Sequence, residues 1–362
     1  MAKNFFGHEI ARTDAKALPD LLKARFPMGN FLVLTDEESA AVFEPLLKRL
    51  PKKLFAVWRE GDDLLPLFSE PDKITCAVGV GGGIPAARYF AAVRSLPCAA
   101  VCPSFAPCGA GGGEICVTVA GEKTRFPVSL PNLIAFCEPA DGRGLEEGRA
   151  FLSLCAVQTF AFSACRRLGV GEEEKGGDGE KGKSGEKGEE LFPLFRAAAD
   201  CRGTEGETLF SALLTAEYCL SRGSGGEAFA LARLVKKYAR LSRADTFLSC
   251  ARAFAGLCTL FFGSGFLRFG KADYNARRKE AERLFPEEGI PAPEVPTQVR
   301  LLSLAAAFEE NRAALFAEIS ALVKTLPPCP EEKIRKAGGI LRFLPELYGG
   351  GISALMRDFG LL

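Results

Sequence analysis

The sequence predicts a two-domain protein, in which an α/β domain with a mostly parallel sheet is followed by an all-helical domain. Two observations carry this prediction. Short apolar runs alternate with helical patterns over about the first 140 residues, and apolar residues after residue 150 repeat at helical spacing. The length of 362 residues is also sufficient for two domains, each with its own core.

Four short apolar runs define the predicted sheet, at residues 30–35, 53–58, 74–80 and 98–102. Helical patterns at 37–50 and 85–93 lie between them, and Pro85 stands in the first turn of the second helix, where a missing N–H costs little. Runs that are apolar on both faces and are separated by helices are typical of a parallel sheet covered on both sides. We therefore expect a Rossmann-like domain over residues 1–140.

The segment 138–148 marks the predicted domain boundary, because the pattern changes there. Beyond it we expect a helical domain over residues 145–362, with helices at 150–168, 208–221, 226–240, 244–262, 299–325 and 352–361. Within this domain, 171–190 consists of Gly, Glu, Asp and Lys with a single exception, so it offers nothing to a core. It is predicted to be a disordered surface insertion, a solvated spacer rather than a charged docking arm.

Composition excludes several classes of function. The 46 Lys and Arg residues against 45 Asp and Glu give a net charge of +1, which provides no electrostatic footprint for nucleic acid. His8 is the single histidine, so a metal site that needs two histidines is excluded. The 13 cysteines form no C-x-x-C motif, and no long uncharged apolar run is present. The first residues contain no apolar stretch, so we expect no signal peptide. We expect a cytoplasmic protein without a membrane span, whose thiols are reduced and mostly buried.

A glycine turn is the strongest local signal for a ligand. The apolar run 74–80 leads directly into Gly81, Gly82 and Gly83, and a helix begins after them. Glycines let the backbone approach a ligand closely, and the helix N-terminus offers free N–H groups and the positive end of a dipole. This pattern suits a pyrophosphate site, and a tight turn that binds nothing fits the local sequence equally well.

Two further features bear on a ligand. Asp36 stands at the end of an early strand, where an acidic residue can accept a hydrogen bond from a ribose hydroxyl. It can equally cap the following helix, and the two roles are compatible. Residues 109–113 (GAGGG) form a second candidate ligand loop, but no helix follows them, so a flexible turn before a strand at 115–119 is favoured.

The order of these motifs resembles the sn-glycerol-1-phosphate dehydrogenase branch of the iron-containing alcohol dehydrogenase and dehydroquinate synthase superfamily, over nearly the whole chain. The matching segments are 32–36, 79–91, 96–104, 117–126, 130–138, 221–227 and the ending ALMRDFGLL. The resemblance implies a dehydroquinate synthase-like fold and NAD or NADP bound by Asp36, Gly81, Gly82, Gly83 and Ser104. It also implies a metal that polarises a carbonyl of a small phosphorylated substrate, dihydroxyacetone phosphate, in a cleft between the domains.

The sequence departs from this family where the chemistry lies. The family's metal ligands are an acidic residue and two histidines, and the matching positions here are Phe151, Ala228 and Ser249. In the glycine segment, Arg88 stands at a family Lys and Pro85 at a family Asp. We therefore expect no metal and weak or lost dehydrogenase activity, with a non-catalytic nucleotide-binding or protein-interaction homologue as the alternative. The sequence leaves open the choice of NAD or NADP and whether a homo-oligomer forms.

Overall fold

The chain divides into two compact units, described from a computed structural model. The α/β unit comprises Met1–Gly148 and Gly203–Ser224, and the helical unit comprises Arg149–Arg202 and Gly225–Leu362. The structure describes residues 3–5, 8–50, 53–59, 61–69, 73–138, 142, 144–170, 206–222, 226–264, 273–292 and 295–362. The predicted insertion at 171–190 lies outside the described residues.

The α/β unit is built on a seven-stranded sheet with the order β1-β2-β9-β6-β5-β3-β4. Its strands are β1 (Lys3–Phe5), β2 (His8–Thr13), β3 (Phe31–Thr35), β4 (Lys53–Val57), β5 (Cys76–Val80), β6 (Cys98–Cys102) and β9 (Leu133–Cys137). The edge strand β1 is antiparallel to β2, and all other pairs in the sheet are parallel. Strands β7 (Glu114–Val119) and β8 (Glu122–Pro127) form a separate antiparallel hairpin.

Helices cover both faces of the sheet. They are α1 (Leu18–Arg25), α2 (Glu37–Leu47) and α3 (Ile84–Arg94). Leu22 of α1 and Phe43 of α2 pack with Val33 of β3 in one core, whereas Phe90 of α3 packs with the adjacent Leu32 in another. Successive residues of a strand point to opposite faces, so α3 covers the face opposite to α1 and α2. The predicted Rossmann-like parallel sheet is confirmed.

The rest of the described chain is helical. The helices are α4 (Leu145–Arg167), α5 (Gly206–Arg222), α6 (Glu227–Ala239), α7 (Arg243–Gly263), α8 (Tyr274–Leu284), α9 (Gln298–Thr325), α10 (Glu331–Leu341), α11 (Leu344–Tyr348) and α12 (Gly351–Asp358). No strand occurs among the described residues after Cys137, which confirms the predicted all-helical class. The sequence predicted helix throughout this region but gave no bounds for α8, because Ala281 is its one buried residue and it therefore has no apolar stripe.

Two of these helices are long and apolar enough to cross a membrane. They are α4 and α7, and 72% and 50% of their most apolar windows are buried inside the structure. Length and composition are weak evidence for a span, because core helices of soluble proteins meet the same criteria.

Helix α5 departs from the predicted domain organisation, since its residues cluster with the α/β unit. The half-buried Glu217 of α5 explains this placement. Its carboxylate accepts hydrogen bonds from the backbone N–H groups of Gly109, at 2.7 Å, and Gly111, at 2.8 Å. A Cβ on Gly111 would lie 2.3 Å from the Leu214 carbonyl oxygen, so the loop also lies directly against the helix backbone. The predicted division at 140 and 145 otherwise stays a prediction.

Arg88 of α3 holds the same loop by donating hydrogen bonds to the carbonyl groups of the loop. The side chain is 2% exposed and donates to the carbonyl oxygens of Gly109, Gly112 and Ser129, the last two at 2.5 and 2.8 Å. Residues 109–113, which we call the glycine loop, are therefore held on their N–H side by Glu217 and on their C=O side by Arg88. This differs from the flexible turn expected from the sequence.

We predict that Arg88→Met lowers the free energy of unfolding of the α/β unit by about 2–4 kcal/mol, because three carbonyls lose a charged donor and Glu217 loses a nearby positive charge. The single tryptophan, Trp58, is buried in the core that contains α3, so its fluorescence during urea unfolding reports this unit. The matched control is Arg94→Met on the same helix, where Arg94 donates to the Phe68 carbonyl from a half-buried position. Equal losses in the two variants would contradict the prediction.

Candidate functional site

The strand order creates a switch point between β3 and β5. The chain leaves β3 toward β4 on one side, whereas it leaves β5 toward β6 on the other, although β3 and β5 are hydrogen-bonded neighbours. In open parallel sheets, ligands bind in the crevice at the carboxyl ends of the strands at such a point. Asp36 follows β3 directly and Gly81–Gly83 follows β5 directly, so both lie at this switch point.

Each glycine of the Gly81–Gly83 turn has its own structural reason. Gly81 has a φ of +54°, which side-chain-bearing residues rarely adopt. A Cβ on Gly83 would lie 2.3 Å from the Leu34 carbonyl oxygen, so Gly83 lets the turn pack against β3. Gly82 is the exposed member and leaves the backbone open to a ligand. These are the three tasks that glycines perform in dinucleotide-binding turns.

Asp36 joins the two elements of the switch point. Its Oδ1 atom accepts from the Ser39 N–H at 2.7 Å, which caps α2, and its Oδ2 atom accepts from the Ser39 hydroxyl at 3.0 Å. Oδ2 also accepts from the Gly82 N–H at 2.5 Å. The capping role is therefore present, and the carboxylate already engages the one exposed N–H of the turn.

This arrangement fits one part of a dinucleotide better than another. A carboxylate can accept about four hydrogen bonds. Three described donors already hydrogen-bond to Asp36, so it can still accept one from a ribose hydroxyl. A pyrophosphate would have to compete with Asp36 for the Gly82 N–H. Other donors at the turn are few, because the Ile84 N–H donates to the Gly81 carbonyl and Pro85 has no N–H. The site fits a ribose and offers a phosphate only a contested donor.

Ser104 follows β6, the strand next to β5. Its hydroxyl accepts from the Ala106 N–H at 3.3 Å, so the residue stabilises its own loop. The glycine loop also lies close to the Gly81–Gly83 turn. A Cβ on Gly109 would lie 3.6 Å from Pro85 Cγ in the first turn of α3. A contact of Ser104 with a cofactor stays a prediction.

The sequence did not single out Glu217, and it placed Arg88 only at a family Lys; the structure shows that both side chains hold the glycine loop. Burial lowers the pKa of the Arg88 guanidinium, and it raises the pKa of Glu217, although the N–H groups of the loop counteract that increase. A signal was present in the pattern. Arg88 continues the apolar stripe of Ile84 and Ala87, and Glu217 continues that of Phe210, Leu213 and Leu214, since both follow at helical spacing.

In the helical unit, the three positions at which the resemblance places metal ligands are occupied by packing groups. The Phe151 ring makes edge contacts with Phe229 and Phe247, at centroid distances of 5.9 and 5.5 Å. Ala228 is fully buried and donates its N–H to a glutamine side chain, and Ser249 is fully buried and donates to the Thr246 carbonyl oxygen. An aromatic ring and a methyl group cannot ligate a metal, so these positions do not fit the ion of that family.

Glu227 is a buried carboxylate that the sequence did not single out. It lies in the first turn of α6, is 3% exposed, and accepts from the N–H and the hydroxyl of Ser353 at 3.2 and 3.3 Å. It thereby caps the N-terminus of α12. A Cβ on Gly351 would lie 1.5 Å from its Oε1 atom, so glycine is required there. Burial raises the pKa of Glu227 to about 8, against the opposing effect of the Ser353 donors.

Solved structures similar to this chain include three dehydrogenases. A probable glycerol dehydrogenase from Sinorhizobium meliloti has 12% identity and a TM-score of 0.46, covering 87% of this chain and 96% of its own. An iron-containing alcohol dehydrogenase from Corynebacterium glutamicum has 15% identity and a TM-score of 0.46, covering 92% and 94%. The NADH-dependent butanol dehydrogenase A from Thermotoga maritima has 13% identity and a TM-score of 0.46, covering 99% and 98%.

None of these three is described as a glycerol-1-phosphate dehydrogenase. No protein-family model and no curated protein matches the chain. At these identities and TM-scores, the similarities assign neither a family nor an activity to it. The predicted cytoplasmic location, the absence of nucleic-acid partners and homo-oligomer formation also stay predictions.

We predict that Glu227→Gln stabilises the protein relative to the wild type by an amount that grows as the pH rises from about 5 to about 8. The pKa of Glu227 is raised to about 8 in the folded protein, so the neutral acid stabilises the fold at low pH and this contribution is lost as the carboxyl ionises. The expected difference at the upper end is a few kcal/mol, measured by urea unfolding followed by circular dichroism at each pH.

Glu288→Gln is the matched control with the opposite sign. Hydrogen bonding from Lys237 lowers the pKa of Glu288, so the ionised form stabilises the fold above the unfolded-state pKa. The control variant should therefore be less stable than the wild type at neutral pH. A pH-independent difference between Glu227→Gln and the wild type would show that Glu227 is ionised throughout.

Proposed function

We propose that the α/β unit binds a nicotinamide dinucleotide, NAD or NADP, at the switch point. The observation that carries the proposal is the meeting of Asp36 and the exposed Gly82 at the carboxyl ends of β3 and β5. Asp36 accepts a hydrogen bond from a hydroxyl of the ribose, and Gly82 lets the phosphate-bearing part of the ligand approach the backbone. Ser104 lies after the next strand of the sheet. A bound nicotinamide supplies or accepts the hydride in oxidoreductase chemistry.

The competition at Gly82 sets the expected strength of binding. The phosphate must displace the Asp36 carboxylate from the Gly82 N–H, and the two anions repel each other when both approach the turn. Binding is therefore weaker than in a turn whose N–H groups are all free. This cost falls on every ligand with a phosphate at the turn, and the ribose contact offsets a part of it.

The proposal for the whole chain is a divergent sn-glycerol-1-phosphate dehydrogenase-like protein. Its ancestral activity is the NAD(P)-dependent reduction of dihydroxyacetone phosphate, and that activity is weak or lost. Support comes from the helical unit, where Phe151, Ala228 and Ser249 occupy the ligand positions of the resemblance and take part in packing. The alternative is a non-catalytic homologue that binds nucleotide or another protein.

The first test is thermal stability with NADH or NADPH. Either dinucleotide should raise the melting temperature of the wild type by mass action, and Gly82→Val should abolish the shift, because its Cβ would lie 3.2 Å from Asp36 and fill the approach. The control is Gly339→Val, an exposed glycine of α10 whose Cβ meets open space. No shift of the wild type with millimolar dinucleotide would contradict nucleotide binding and favour the protein-interaction alternative.

The second test concerns metal and activity. Elemental analysis of the purified protein should find metal well below one ion per chain, and added zinc should not increase dihydroxyacetone phosphate reduction. Ala228→His alone should not restore binding, because a catalytic zinc needs about three protein ligands. Phe151→Asp, Ala228→His and Ser249→His together should bind zinc more tightly than the wild type. Stoichiometric metal with zinc-dependent turnover in the wild type would overturn the loss of metal chemistry.

A further inference from the structure

Two cysteines stand at the ends of the short loop that carries Ser104. Cys102 is the last residue of β6 and is buried, whereas Cys108 is half-buried. Their Sγ atoms lie 3.4 Å apart, in hydrogen-bonding contact, and both thiols are free. A disulfide has an S–S distance of about 2.05 Å, so the two sulfurs need to approach by about 1.4 Å to form one.

The loop between these cysteines has little freedom to separate them. Pro103 and Pro107 fix the backbone angle φ next to each cysteine. Phe105 in the middle is 4% exposed, and its ring packs on Phe136 with the centroids 5.1 Å apart. The contact between the two sulfurs is therefore built into the loop and does not depend on a chance rotamer of one exposed side chain.

We propose that Cys102 and Cys108 form an oxidative modification site, at which hydrogen peroxide converts the two thiols into a disulfide. In the first step the Cys108 thiolate attacks peroxide, the O–O bond breaks, and Cys108 becomes a sulfenic acid while hydroxide leaves. In the second step the Cys102 sulfur displaces the hydroxyl group from Cys108, and the S–S bond forms. In total, two thiols and one peroxide give one disulfide and two waters, so two electrons pass from sulfur to peroxide.

Accessibility determines the order of these steps. Cys108 is the more exposed of the two sulfurs and meets the oxidant first. The contact with Cys108 and burial raise the pKa of Cys102, so this thiol stays protonated while Cys108 meets the oxidant. In the second step its proton leaves with the hydroxyl group of Cys108 as water. Cys137 ends β9 beside β6 and is buried, so it is the competing partner for Cys102. The modification does not require nucleotide binding, and its outcome is independent of the proposed function.

The experiment is peptide mapping after treatment of the folded, reduced full-length protein with hydrogen peroxide. Remaining thiols are alkylated at acidic pH before digestion without reductant. The expected product is a single Cys102–Cys108 link, with the mass of two hydrogens lost and two of the 13 thiols no longer titrated. Dithiothreitol should reverse it.

Three variants make the test specific. Cys102→Ser removes the resolving thiol, so dimedone should trap the sulfenic acid at Cys108. Cys108→Ser should form no link at Cys102 at the same peroxide dose. Cys116→Ser removes an exposed cysteine of β7 and should leave the disulfide unchanged. Circular dichroism checks that each variant is folded.

Two outcomes would overturn the proposal. One is a link from Cys102 or Cys108 to another cysteine, Cys137 included. The other is a wild-type protein in which Cys116 is oxidised while Cys102 and Cys108 remain thiols, or in which Cys108 is over-oxidised without a disulfide.

Discussion

The glycine loop depends on two charged side chains of opposite sign that reach it from different helices. A loop without regular structure leaves its N–H and C=O groups in need of partners, and hydrogen bonds to ions are the strongest ones available. Glu217 takes the N–H groups and Arg88 takes the C=O groups. Because each ion also offsets the charge of the other, neither is replaceable alone. The position of α5 in the α/β unit and of Gly109 beside Pro85 both follow from this arrangement.

At the switch point, the same carboxylate serves the fold and the candidate site. Asp36 lies between β3 and α2 and caps α2 by accepting the Ser39 N–H. It also accepts the Gly82 N–H, which ties the turn after β5 to the end of β3. In the absence of a ligand, these contacts hold the two strand ends together and satisfy the exposed N–H. A ligand must therefore provide more than the contacts it replaces. The glycine turn is therefore structurally complete through Asp36 alone, which is why the proposed dinucleotide binding is expected to be weak.

The features that the sequence predicted correctly are those determined by local patterns of residues. Alternating apolar runs predicted the sheet, and three consecutive glycines after a strand predicted the turn, because both properties reside within a few residues. The partners of Arg88 and Glu217 lie 21 and 108 residues away, so no local pattern identifies them. A charged residue within an apolar stripe at least indicates that such a partner exists. Metal ligands are the opposite case, since a single histidine excludes, without a structure, a site that needs two.

The cap that Glu227 places on α12 links residues 126 positions apart in the chain. During synthesis, α6 is made long before α12. Until α12 is made, the Glu227 carboxylate lacks the hydrogen bonds that Ser353 donates to it. Burying a carboxyl group without hydrogen-bond donors costs free energy, so packing around Glu227 is less favourable until α12 supplies those donors. Apolar surface that is exposed during this interval favours aggregation, as in any incompletely folded domain.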